Sequence, residues 1–379
     1  MMMNKILHIF SVGAFVFALF FIWKEHNRFE KAEAVVDRAV INHLSVIHPP
    51  DIVFLCGERI PLEIPDVRER FEREFYVEFN ENQLILDLKR CGKYMPYIES
   101  KIREKGLPDD LKYLAIAESR LIESAYSSKG AAGIWQLMPE TARKYGLRVD
   151  DYIDERLHIQ KATEAALSYI QDLYKKFNNW ALTLAAYNAG DARITDALQF
   201  QWVDNYFDLH LNRETSRFVF RVAAIKELIS NAPRYGFILD TAKLFKAPDV
   251  KYVQVKGPIQ NLALWARLQG TNYKTLKYLN PWILKSSLPS GEFQIALPAD
   301  AKPQELNIAE YKYKSSKVIF QNGEIIVVPE KTKNHKVRAG ETIESIAKKY
   351  NVSVEDIIEL NNLEGKKLRP GQIIKIPVY

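Results

Sequence analysis

Cysteine is nearly absent: Cys56 and Cys91 are the two in 379 residues. Neither stands in a Cys-x-x-Cys pair or a Cys/His cluster, so the sequence carries no zinc-module or other metal signature, and no cofactor is called for. A bridge between them stays open, since an oxidising compartment would permit it and sequence does not show its geometry. Nucleic-acid modules are missing as well, with no aromatic RNP strings and no zinc-finger spacing. The formal net charge of +6 suits an anionic polymer or membrane face, but dispersed Lys and Arg read first as an ordinary solvated surface.

Charge is also missing from Ile6 to Trp23, 18 residues without Lys, Arg, Asp or Glu. That length is at the lower end of the roughly 17–25 residues a helix needs to span a bilayer. The run has no polar face, so it does not read as a soluble core helix. It lacks the small-residue site of a cleaved signal peptide, ending instead in Phe20-Phe21-Ile22-Trp23, with Trp23 suited to a membrane interface. No cysteine follows it closely enough to carry a lipid. Residues 1–28 are therefore read as a membrane anchor, with a secreted, processed chain as the alternative. Lys5 precedes the run and Lys24 and Arg28 follow it, so flanking charge does not orient it.

Residues 29–90 read as a helical lead-in. Phe29 to Leu44 has helical spacing and is broken at His48-Pro49-Pro50; Pro61 and Pro65 bracket an extended piece, Ile60 to Ile64; Val67 to Tyr76 suits a helix. From Leu84 to Ile229 helices dominate. Gly106-Leu107-Pro108-Asp109 stops one helix and starts the next, with Asp109 or Asp110 as its cap. That helix runs from Leu111 to about Ser119. Leu111, Leu114 and Ala115 form its apolar stripe, and Glu118 falls four residues after Leu114. A carboxylate on the inward side of a helix end is expected to be partly desolvated, and its pKa then rises, as a general acid requires. Pro139 opens another helix; Glu164–Phe177, Trp180–Tyr187 and Glu214–Ile229 are further ones, the second ended by Asn188-Ala189-Gly190. After Pro233 short β-branched runs alternate with short helices. Gly340-Glu341-Thr342-Ile343 through Ile374-Lys375-Ile376-Pro377 echoes Gly257-Pro258-Ile259 through Ile295-Ala296-Leu297-Pro298. The offset between the copies drifts from 84 to 80 residues, and each copy reads strand, helix, helix, strand. Between them, Gln321-Asn322-Gly323-Glu324 lies between β-rich runs, a hairpin signal.

Three strings carry a resemblance: Glu118-Ser119, Gly133-Ile134-Trp135-Gln136, and Ala186-Tyr187-Asn188-Ala189-Gly190. In this order and spacing they resemble the lytic transglycosylase domain of the goose-lysozyme-like superfamily, in the membrane-bound D-type branch. Residues 335–379 resemble a LysM module, and 250–299 a degenerate copy in which the threonine of Gly-x-Thr-Ile is missing. The resemblance implies an α+β chain: a mainly helical lysozyme-like domain over 91–232, then small βααβ modules. It implies an enzyme that cuts the MurNAc–GlcNAc bond of peptidoglycan and leaves a 1,6-anhydro end. Hydrolases of such bonds use two carboxylates. This family needs one, because the sugar's own 6-hydroxyl attacks. Glu118 takes the acid/base role. Ser119, Ser127, Gln136, Tyr187, Asn188 and Glu214 align with residues around the substrate. Ser119 is read as capping or orienting, Ser127 equally as a turn former, Trp135 as a buried aromatic, and Asn188 also as a helix cap. Phe218 stands where the family has tyrosine, so a hydroxyl is lost. In the LysM unit, Gly340, Glu341, Thr342, Leu368 and Pro370 would line the glycan groove. The implied partners are peptidoglycan glycan strands, the membrane and other cell-wall enzymes, with no nucleic acid. The place is the periplasmic side of the cell envelope. Two other readings stay open: a muramidase that hydrolyses with help from Glu214, and a peptidoglycan-binding scaffold with little catalysis.

Overall fold

The computed structural model describes Lys24, 47–304, 316–321, 324–329, 331–361, 363 and 368–378. The apolar run at Ile6–Trp23 and the helix expected at Phe29–Leu44 lie outside these residues. Among the described residues no helix is long and apolar enough to cross a membrane. The described residues divide into two compact units, one drawn from 47–89, Leu107–Ala117 and Leu173–Leu244, the other from Arg90–Gly106, Glu118–Asp172 and the described residues from Phe245 on.

The first unit opens with a two-stranded hairpin, β1 (Val53–Leu55) and β2 (Glu58–Ile60), paired antiparallel with Leu55 opposite Glu58. The extended piece expected over Ile60–Ile64 is instead the end of β2 followed by a turn, closed by Leu62 N–H to Ile60 O and Ile64 N–H to Pro61 O. The hairpin turn is Cys56-Gly57, both at positive φ (52° and 84°). Two such residues make the turn whose twist matches paired strands. Cys56 and Cys91 are both thiols, so the bridge left open above is absent. Burial pushes the Cys56 thiol well above its usual range, with the charge of Asp110 adding to it. Helix α1 (Pro65–Glu78) follows, with Pro in its first turn.

Up to Ser230 the α-helices that follow are α2 (Glu81–Glu104), α3 (Lys112–Ser119), α4 (Pro139–Lys144), α5 (Ile159–Phe177), α6 (Trp180–Ala189), α7 (Asp191–Gln201) and α8 (Thr215–Ser230). In the first unit α1 packs on α8, and α6 on both α7 and α8. Phe71, Phe75, Phe218 and Phe220 are buried there. Glu74, also buried, is held by Arg217 on the facing helix. Neither Asp109 nor Asp110 caps the helix after Pro108. Asp110 instead accepts from the Cys56 backbone N–H and from Lys226 Nζ, both at 2.7 Å, and Lys226 also reaches Phe54 O at 2.8 Å. A long-range ion pair that ties the hairpin to α8 has outcompeted the local cap.

In the second unit, β3 (Val250–Ile259), α9 (Leu262–Leu268), α10 (Tyr273–Leu279) and β4 (Leu288–Pro298) give the expected βααβ order. The strands pair antiparallel, with a register shift between Gly257 and Ile259. This module is not independent. Leu262, Ala266, Leu276, Trp282, Ile283 and Ile295 share one core with Ala132, Ile153 and Leu157. Backbone bonds join them too: Asp154 N–H to Trp282 O at 2.9 Å and Leu284 N–H to Tyr152 O at 2.8 Å. Next, β5 (Ser316–Gln321) and β6 (Glu324–Pro329) pair as the expected hairpin. The last module is β7 (Lys331–Lys336), α11 (Ile343–Tyr350), α12 (Val354–Asn361) and β8 (Ile373–Val378), with its own core of Val337, Ile346, Ala347, Ile357, Leu363, Ile374 and Ile376.

Candidate active site

Glu118 is the penultimate residue of α3 and half-buried. The chain leaves this helix through Arg120 and Leu121, both left-handed (φ 54° and 56°). For non-glycine residues such a conformation costs roughly 1–2 kcal/mol each, and strain of this kind concentrates at functional sites. Two contacts hold the turn. Ser119 Oγ, buried, donates to Ile134 O at 2.8 Å, and Arg90 Nη1 donates to Arg120 O at 3.1 Å.

Ile134 belongs to a loop that folds back on itself. Gly133 N–H reaches Ala125 O at 2.9 Å, and Ala132 and Leu137 exchange backbone bonds at 3.2 Å. Ser127 closes the outer turn, its Oγ accepting from Ala131 N–H at 2.9 Å. Trp135 is fully buried and donates to Thr163 Oγ1 at 2.9 Å, so it is a core residue. Gln136 sits at φ 46° and donates through Nε2 to Gly133 O (2.8 Å) and Ala125 O (3.2 Å). Two carbonyls fix which end of that amide is nitrogen. Oε1 meets no donor among the described residues, which leaves an acceptor with a set direction.

Arg156 staples this loop from beneath. Its Nη1 reaches Gly130 O (2.6 Å) and Leu137 O (3.0 Å), while Asp154 takes its Nε and Nη2 at 2.8 Å. Both side chains are buried. Asp154 also accepts from Tyr126 OH at 3.0 Å; burial and that carboxylate push the Tyr126 phenol up to about 12. Gly133 comes so close to this staple that a Cβ there would stand 2.0 Å from Arg156 O.

Tyr187 and Asn188 lie in the last turn of α6, in the first unit, and both are half-buried. The helix starts at a doubly capped N-terminus. Asn179 Oδ1 accepts from Leu182 N–H at 2.9 Å, and the Glu58 carboxylate takes Trp180 N–H at 2.8 and 2.9 Å. A carboxylate at that end suits the helix dipole. At the far end Gly190, at φ 90°, closes α6. Asn188 does not cap it; its Oδ1 accepts from the buried Thr215 Oγ1 at 3.1 Å. The Asn188 Nδ2 meets no acceptor among the described residues and so offers donors. Glu214 is exposed at the N-cap of α8, its N–H on Asn212 Oδ1 at 3.0 Å. Phe218 is buried in the core.

In the last module Gly340 sits at φ 84°. Thr342 forms a capping box with Ser345 at the start of α11. Glu341 is committed internally, to His335 Nε2 and Arg338 N–H, both at 2.8 Å. These bonds hold its carboxyl down at about 2. Leu368 packs against the module core and Pro370 is exposed.

The motifs point to Glu118, Gln136 and Asn188 but not to the Arg156–Asp154 staple, nor to the helix-end contact of Glu58 or the Thr215 bond to Asn188. Among the described residues no group of three His, Cys, Asp or Glu side chains is placed to hold a metal.

Comparison with known proteins gives three family matches. They are the transglycosylase SLT domain at residues 95–202, the LysM domain at 335–377, and the soluble lytic transglycosylase C-terminal LysM-like domain at 251–301. Membrane-bound lytic murein transglycosylase D of Escherichia coli is 31% identical over 342 residues, which cover 88% of this chain and 74% of that protein. Two solved structures are more distant. The lytic transglycosylase Slt of Pseudomonas aeruginosa has a TM-score of 0.31 and 22% identity over 40% of this chain and 26% of that one. The 70 kDa soluble lytic transglycosylase of Escherichia coli has a TM-score of 0.30 and 21% identity over 41% and 27%.

Proposed function

The chain belongs to the family of membrane-bound lytic murein transglycosylase D, a peptidoglycan lytic transglycosylase with glycan-binding LysM units, and from that premise we propose that Glu118 is its single general acid and base. The observation that supports this most is the setting of Glu118: half-buried at a helix end, with a strained turn behind it and the Ser119–Ile134 bond tying that turn to the Gln136 loop.

The Glu118 carboxylic acid gives its proton to the glycosidic oxygen as the C1–O bond breaks, and the GlcNAc end leaves as an alcohol. The carboxylate so formed takes the proton of the MurNAc 6-hydroxyl while that oxygen bonds to C1. Water is not consumed and the product carries a 1,6-anhydro ring. Attack from within the same sugar gains from proximity, so no second carboxylate has to activate water. The Gln136 Oε1 acceptor and the Asn188 Nδ2 donors suit the N–H and carbonyl of acetamido groups. The family resemblance is what assigns Tyr187 to the reacting face. Ser119 and Ser127 act by holding backbone, and Glu214 stays at the rim.

We place the enzyme in the cell envelope, on the periplasmic side, anchored through Ile6–Trp23. The test is mass analysis of peptidoglycan digested by the wild type and by Glu118→Gln. Anhydro-muramic ends from the wild type alone are expected, with a loss of roughly 10²–10⁴-fold in the variant. Reducing ends instead would make it a muramidase and direct attention to Glu214.

A further inference from the structure

The second unit holds a cavity of about 210 Å³ that none of the site residues above lines. Its lining includes Tyr94, Tyr97 and His158 from the helical part and Tyr252, Tyr278 and Trp282 from the first βααβ module. We infer that this cavity is a binding site for one neutral, N-acetylated pyranose ring of the wall glycan, gripped between the catalytic helices and that module.

Four observations carry it. The walls are largely aromatic, and flat aromatic faces suit the C–H face of a pyranose. The volume lies below the roughly 300–1,000 Å³ of pockets for drug-sized ligands, so it fits a single ring and not a strand. The charges are cancelled: Lys93 pairs with Glu123 at 3.3 Å and lies over the Tyr94 and Tyr278 rings. That leaves no net charge to draw a phosphate, a carboxylate or a metal.

Finally, polar groups are waiting. His158 is more than nine-tenths buried and rests against Trp282 with ring centroids 5.7 Å apart. Its Nδ1 is buried without a hydrogen-bond partner among the described residues. Buried polar atoms are rarely left so, and the His158 ring lines the cavity, where a bound sugar would change its surroundings. Tyr252 OH accepts from Gln160 Nε2 at 2.9 Å and keeps its own proton to donate. A wider cleft shares Lys93, Tyr94, Glu123 and Tyr278 with the cavity and reaches Leu121 and Ile122, in the turn that follows Glu118. It gives the ring a way in from the side of that turn.

The inference rests on the peptidoglycan reading above. The test uses the full chain carrying Glu118→Gln, with ¹⁵N-labelled histidine, titrated with N-acetylglucosamine. The His158 ring resonance is assigned by its loss in His158→Phe. A saturable shift of that resonance is expected. It should vanish in Ala247→Phe, which puts a ring into the cavity from an exposed wall position and should leave the melting temperature unchanged. A His158 resonance that stays still, or moves equally in Ala247→Phe, overturns the inference. If wild-type digests still contain anhydro ends, the inference fails alone; if they lack them while His158 responds, the catalytic reading fails alone.

Discussion

Gly133 is where the backbone of the Gln136 loop presses on the backbone below it. A Cβ there would meet Arg156 O at 2.0 Å and its carbon at 2.9 Å, at a φ of 79°. Neither neighbour is a side-chain end that can swing away. Gly133→Ala should therefore cost about 1–3 kcal/mol, seen as a melting temperature lower by roughly 5 °C, with activity falling as Gln136 is displaced. His158 gives a prediction of opposite kind. Burial, with Lys161 adding to it and Glu155 opposing, holds its folded pKa at about 4. An unfolded histidine titrates near 6.5, about 6.5 being the usual value. Between those values the unfolded chain binds the proton and the native chain does not. The stabilisation is therefore complete above about pH 6.5 and is lost as the pH falls toward 4, by up to about 3 kcal/mol. Urea midpoints at pH 7 and 4.5 should differ more in the wild type than in His158→Phe; an equal drop would refute it.

At the scale of elements, the staple under the loop is the feature to break. Arg156 and Asp154 are buried together, and removing one partner of such a pair costs about 3–5 kcal/mol because the other charge is left behind. Arg156→Met should lower the urea midpoint accordingly. It should also free the loop ahead of the rest, which trypsin would report as faster cutting at exposed Lys129. The helices that carry the motifs were legible, since their signals are local: Pro139 in a first turn, Gly190 at an end, the apolar spacing before Glu118. What the sequence hid is long-range. Asp110 reads as a cap but is claimed by Cys56 and Lys226. Cys56-Gly57 makes a hairpin turn without the Asn-Gly that would announce it. Asn188 reads as a cap too, yet its oxygen is bound by Thr215, 27 residues on.

At the scale of the molecule, two modules of the same βααβ plan have different relations to the catalytic machinery. The first shares its core with Ala132, Ile153 and Leu157, the residues under the Gln136 loop. The last has a core of its own. Similar sequence patterns concealed this, because repeat patterning reports how a module folds and not what its outer face meets. The difference predicts two kinds of loss. A chain ending after residue 304 keeps the first module and should cut short soluble glycans at the full rate. On whole sacculi its activity should drop roughly tenfold or more, since a tethered glycan binder works by raising local concentration. Disrupting the first module by Ile283→Asp puts a charge at a fully buried position, where an unpaired charge is strongly unfavourable. That change should abolish cutting of short and long substrates alike and lower the melting temperature. Measured side by side, a truncation that slowed both substrates equally would mean the last module also supports the fold. An Ile283→Asp chain that kept its rate on short glycans would mean the first module is no buttress.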